Sequence, residues 1–174
     1  VIAQRVNGEA VVVVGWGRAI LMQVAHPLVA AAIAQHSDFE AGAVAYVHRM
    51  RRTIAAMLSL TFGTEPEVRR AAAQINAIHA RVHGRLPETV VLFALARALP
   101  AADPALLTWV HTTPVDSQLR THRLFVGTLT TDEEDQYCAE ATAVGPRLGI
   151  PQHLLPVTVA ELDAYLSDVP QVRY

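Results

Sequence analysis

Between Val68 and Gly84 the chain reads VRRAAAQINAIHARVHG, and two imidazoles in it, His79 and His83, could serve as metal ligands. At 100° per residue, Val68, Ala71, Ala72, Ile75, Ile78 and Val82 form one apolar stripe. His79 falls inside that stripe, away from Arg70, Gln74 and Arg81, and His83 lies one turn on at its edge. A buried polar group without a partner costs about 1–3 kcal/mol. His79 is therefore either a core histidine bonded to a nearby carbonyl or a neutral imidazole offered to a metal, haem iron foremost. Spacing does not separate these readings.

Three further positions share this ambiguity. His26 precedes Pro27, whose ring displaces the carbonyl of Gln23, so it either satisfies a kink or lines a cofactor pocket. His111 shares a stripe with Leu107 and Val110 and reads as core or pocket-lining. Arg49 and Thr53 are four apart and adjacent on a helix face. Flanked by Tyr46, Ala56 and Leu60, Arg49 wants an anion: an internal carboxylate or a haem propionate. Arg51 and Arg52 point elsewhere.

The elements that must hold these residues read as helices throughout. Residues 1 to 17 suggest a helical entry broken at Gly15-Trp16-Gly17. Arg18 to His36 is apolar around nearly its whole circumference, an enclosed helix kinked at Pro27. Ser37-Asp38-Phe39 is a break. A helix from about Ala43 to Phe62 follows, with Val47, Met50, Ile54, Met57, Leu58 and Thr61 as its main stripe, and Gly63 ends it. Thr64 with Glu67 forms a capping box that opens the histidine helix, so the two helices should pack as antiparallel neighbours. That packing brings the Arg49/Thr53 face within reach of His79. Val90 to Leu99 is a short apolar helix or an inserted segment. Asp103-Pro104 starts the next helix, which continues past Pro114 to Val126. A second box at Thr131–Glu134 opens a helix to about Leu148, closed by Gly149 and Pro151. Thr158 with Glu161 starts the last, to about Ser167. Three capping boxes and no hairpin signal predict one all-α domain over residues 1–174.

Composition narrows the function. The chain is 52% hydrophobic and 17% charged, which excludes disorder and predicts a largely buried helical interior. A net charge of −2 provides no footprint for nucleic acid. The one cysteine, Cys138, excludes an internal disulfide and any CxxCH attachment of haem. The longest apolar run, Ala19 to Ala34, is interrupted by Gln23, His26 and Pro27 and is too short to span a bilayer. A cytoplasmic protein is expected. No HExxH is present, and few carboxylates share faces with the histidines, so a metal hydrolase is disfavoured.

The motif order GRAILMQVAHPLVAAAIAQHSDF, Arg49-x-x-x-Thr53 leading into TFG, IHARVHG, DPALLTWVH with Asp116-Ser117, and LGIP…LLPVT resembles one family. It is the family of rubber oxygenases (latex clearing proteins) and the ER-bound mycophenolate-pathway oxygenase. The resemblance implies a globin-like helical bundle around a haem-sized pocket, holding haem b through one histidine. It implies dioxygen-dependent cleavage of a carbon–carbon double bond in a lipophilic, often isoprenoid, substrate. Carried over by motif, His79 is the metal ligand, Arg49 and Thr53 are catalytic residues at the haem, and His26 and His111 belong to the cofactor site. Met22 and Val29 would line an apolar pocket. Rubber oxygenases place a lysine in the Arg-x-x-x-Thr segment; here Arg52 stands there and the chain has no lysine at all, which argues against natural rubber as substrate. Relative to the family pattern, truncation at the C-terminus is expected, with another subunit of a homo-oligomer able to complete the pocket. The competing reading is a haem-free protein of the same fold, carrying a lipophilic ligand or acting as an interaction module.

Overall fold

The computed structural model describes residues 1–36, 42–81 and 102–168. The break at Ser37–Phe39, the histidine helix beyond Arg81 with His83, and the Val90–Leu99 segment lie outside the described residues. Every regular element among the described residues is helical, as expected. In chain order these are α1 (Ile2–Asn7), α2 (Val12–Val24), α3 (Pro27–His36), α4 (Gly42–Phe62), α5 (Glu65–His79), α6 (Pro104–Phe125), α7 (Thr131–Thr142) and α8 (Val159–Asp168). Two 3-10 turns, Gly145–Leu148 and Gln152–Leu154, join α7 to α8.

Helix α6 is the axle of the molecule. Asp103 caps it by accepting from the Ala105 amide at 2.9 Å, with Pro104 at the first helical position. Its interior faces carry Leu106, Leu107, Trp109, Val115 and Leu119, all buried. Val6 of α1, Tyr137 and Cys138 of α7, and Leu162 and Leu166 of α8 close on Trp109, Val115 and Leu119 to make the main core. Thr112 and Thr121, also buried, return their hydroxyls to carbonyls one turn back, so these polar groups are satisfied within the helix. The Tyr137 hydroxyl donates to Gln118 Oε1 at 2.8 Å.

Helix α2 packs antiparallel along α6, and two prolines shape the contact. Pro114 has no amide to offer the Val110 carbonyl, which instead accepts from Gln23 Nε2 at 3.1 Å. Pro27 likewise frees the Gln23 carbonyl, which accepts from the His26 amide at 3.1 Å and from Trp109 Nε1 at 3.4 Å. Helix α2 thus supplies a donor to the carbonyl that Pro114 frees in α6, and α6 supplies one to the carbonyl that Pro27, at the start of α3, frees at the end of α2. At the other end Arg18 donates to Asp116 Oδ2 (2.6 Å) and Ser117 Oγ (2.7 Å), while Arg120 Nε donates to Asp116 Oδ1 (2.7 Å).

This contact corrects the reading of the first forty residues. Gly15-Trp16-Gly17 is not a break but the interior of α2; the chain turns earlier, at Gly8 to Val11. Gly15 is there because a Cβ would stand 2.8 Å from Thr121 Oγ1 and 3.1 Å from the Ser117 carbonyl oxygen. The expected kink at Pro27 is a full break, with Ala25 and His26 between two separate helices. Two boundaries also shift. The second capping box uses Thr130, not Thr131, with Glu133 as its partner. Helix α7 stops at Thr142 because Pro146 supplies no amide, and the chain tightens into the 3-10 turn that Gly149 closes at φ 85°.

Candidate functional site

Helices α4 and α5 pack against each other across the tight connection at Gly63 and Thr64. The capping box that starts α5 is formed: the Thr64 amide donates to Glu67 Oε2 at 2.7 Å. The Thr64 hydroxyl and amide together hold the Glu67 carboxyl below its ordinary pKa. Arg49 on α4 and His79 at the end of α5 are each about 20 Å along their helices from the connection, at a rise of about 1.5 Å per residue. The two residues are therefore level in the hairpin. Thr53 is exposed on α4, and the side chain of Arg49 lies outside what the structure describes. The far end of α5 is fixed by the first 3-10 turn: Asn76 Nδ2 donates to the Arg147 carbonyl at 2.9 Å. Arg147 in turn donates to the Glu65 carboxylate at 3.0 and 3.1 Å. His79 sits one turn beyond Asn76, so its position is set from both sides of the hairpin.

Each of the three motif histidines buries a ring nitrogen that has no partner among the described residues: Nδ1 of His26, Nδ1 of His79 and Nε2 of His111. Desolvation lowers the pKa of all three, that of His111 to about 4 against a backbone hydrogen bond with Ala141. All three are thus neutral imidazoles at neutral pH, the state in which a ring nitrogen keeps a lone pair for a metal. His79 fits a haem ligand on this ground, since its bare nitrogen is an unmet demand at the motif position. The residues do not fit a multi-ligand metal centre. No group of three His, Cys, Asp or Glu side chains able to hold a metal ion occurs among the described residues.

The structure does not gather the three imidazoles into one cluster. The His26 ring lies 6.2 Å from that of Trp109, tilted by 45°. His111 is two positions further along α6, about 200° around it, where it meets Ala141 of α7. Helix α6 therefore stands between them. Met22 and Val29 are half-buried and pack against the main core. A groove of about 540 Å³ is lined by Leu154, Leu155, Pro156, Val157, Glu161 and Tyr165, and none of the motif histidines borders it. The polar arrangement that motif reading missed is the buried Asp116 carboxylate between Arg18 and Arg120. The Asp116-Ser117 dipeptide was visible; its partner Arg18, almost a hundred positions away, had no local signal.

A comparison with protein-family models matches residues 4–173 to the catalytic domain described as ER-bound oxygenase mpaB/B′/rubber oxygenase. No curated protein and no solved structure matches the chain. The matched span takes in α5 with His79, α4 with Arg49 and Thr53, and the α2–α6 pair. This chain belongs to the mpaB/B′ and rubber oxygenase catalytic-domain family, and its function is of the oxygenase type.

Proposed function

We propose that residues 1–174 are a single haem b-dependent oxygenase domain with His79 as the ligand to iron. The observation that supports this reading is the buried Nδ1 of His79, unpartnered among the described residues, in the motif whose histidine the resemblance makes the ligand. Bound haem would supply dioxygen activation; the chain supplies the setting. Burial keeps His79 neutral, so its lone pair is free for coordination without first losing a proton. Arg49, whose position on α4 is level with His79, would hold a haem propionate by charge-assisted hydrogen bonding. Thr53, one turn from Arg49 on α4, would contribute a hydroxyl to that site, whereas His26 and His111, on different sides of α6, would not share it. A globin-like enclosure of these helices would exclude water from the reacting atoms.

The substrate class is a lipophilic alkene of isoprenoid type, whose double bond and one dioxygen yield two carbonyl groups. The domain acts in the cytoplasm, alone or as a homo-oligomer. The test is incubation of the haem-loaded protein with a lipophilic polyene in air. Coupled oxygen uptake and carbonyl products, both lost in Arg49→Ala, are the expected result. Haem-loaded protein that consumes no oxygen with any alkene would reject the oxygenase assignment for this chain and favour a carrier role.

A further inference from the structure

Among the described helices, α4 combines an acid-free sequence, exposed apolar side chains and unpaired arginines; α2 shares the first two, but its Arg18 is paired with Asp116. Over Gly42–Phe62 α4 contains Arg49, Arg51 and Arg52 and not one Asp or Glu, in a chain whose net charge is −2. Its apolar side chains are only partly covered: Val44 is 84% exposed, and Val47, Met50, Leu58 and Phe62 are 42–46% exposed. At 100° per residue, Val47, Met50, Leu58 and Phe62 fall on one arc, with Arg51 within it and Arg52 and His48 on one flank. The main apolar stripe of this helix is thus partly a surface stripe.

The arginines differ from their counterparts. Arg5, Arg18, Arg69, Arg120, Arg123 and Arg147 each pair with a carboxylate. Among the described residues, Arg51, Arg52, Arg70 and Arg81 pair with none and are exposed; Arg70 lies on α5 with Glu65 and Glu67, whereas Arg51 and Arg52 lie on a helix without acid. An amphipathic helix with a partly uncovered apolar arc, unpaired guanidinium groups and no acid has the composition of an interfacial helix. No helix among the described residues is long and apolar enough to cross a bilayer, so contact along the surface is the mode available.

We infer that α4 docks the protein on an anionic lipid surface, its apolar arc entering the headgroup boundary and Arg51 and Arg52 meeting lipid phosphates. The charge selects the occupant. A second copy of this chain would bring two basic, acid-free faces together, whereas an anionic bilayer complements both the charge and the apolar arc. Docking there would place the domain where a lipophilic substrate dissolves. The inference stands whether or not haem binds.

The test is co-sedimentation of the whole chain with vesicles of phosphatidylcholine alone and with phosphatidylglycerol added. Binding should require phosphatidylglycerol and weaken with salt. An arginine near an anionic surface contributes about 1 kcal/mol, so Arg51→Gln with Arg52→Gln should lower partitioning roughly 30-fold. Leu58→Ser with Phe62→Ser should also lower it. All four side chains are exposed, and circular dichroism should show unchanged helicity. No binding, equal binding to neutral vesicles, or binding indifferent to these variants overturns the inference. So does sedimentation velocity showing a dimer that Phe62→Ser dissociates.

Discussion

His111 shows what one buried imidazole does to the stability of the chain. Its pKa is pushed down to about 4, whereas the same group in the unfolded chain titrates near 6.5. Between those values the unfolded state binds the extra proton, so stability is full above about pH 6.5 and falls as pH drops through the window. The shift corresponds to about 3 kcal/mol at its limit. Thermal unfolding followed by circular dichroism should show the melting temperature falling from pH 7 to pH 5. His111→Gln, which cannot titrate there, should flatten that dependence. An unchanged slope in the variant would show that His26 and His79, shifted the same way by burial, carry the effect instead. Asp116 acts by pairing. It is 4% exposed and receives two arginines. Asp116→Ala should cost about 1–3 kcal/mol by denaturant unfolding, moderated because Arg18 and Arg120 are half-exposed and can turn to water.

At the scale of elements, the α2–α6 contact makes opposite predictions for two glycines in one helix. A Cβ at Gly15 would collide with Thr121 Oγ1 and crowd the Ser117 backbone, whereas a Cβ at Gly17 meets nothing within 4 Å. Gly17→Ala should stabilise by about 0.5–1 kcal/mol through helix propensity alone. Gly15→Ala gains the same propensity but incurs overpacking of about 1–3 kcal/mol, so its net effect should be destabilising. Equal effects of the two changes, measured by urea unfolding, would refute the close approach. These two positions also mark where reading by residue stops. Helix starts were legible at Thr64, Asp103 and Thr158 because a cap and its partner are three residues or fewer apart. Thr130 and Thr131 precede Glu133 and Glu134 with the same spacing, so the pattern allowed two registers and the chain uses the first. Gly15-Trp16-Gly17 suggested a break because glycine weakens helices locally. What keeps it helical is α6, about a hundred residues away.

For the whole molecule, motif order identified the family, and the family match covers residues 4–173. The histidines' apolar surroundings were legible too: each of His26, His79 and His111 does bury a nitrogen. Their mutual arrangement was not, because it depends on how α6 separates His26 from His111. A haem site at His79 therefore rests on one imidazole and the α4 face level with it, not on a convergent triad. The most direct measurement is an equilibrium titration of the purified chain with haemin, followed by absorption, for the parent protein, His79→Ala, His26→Ala and His111→Gln. Saturable one-to-one binding with a Soret band, weakened at least about tenfold by His79→Ala alone, is the predicted result. Binding that does not saturate, or that is as tight in His79→Ala as in the parent chain, would contradict it.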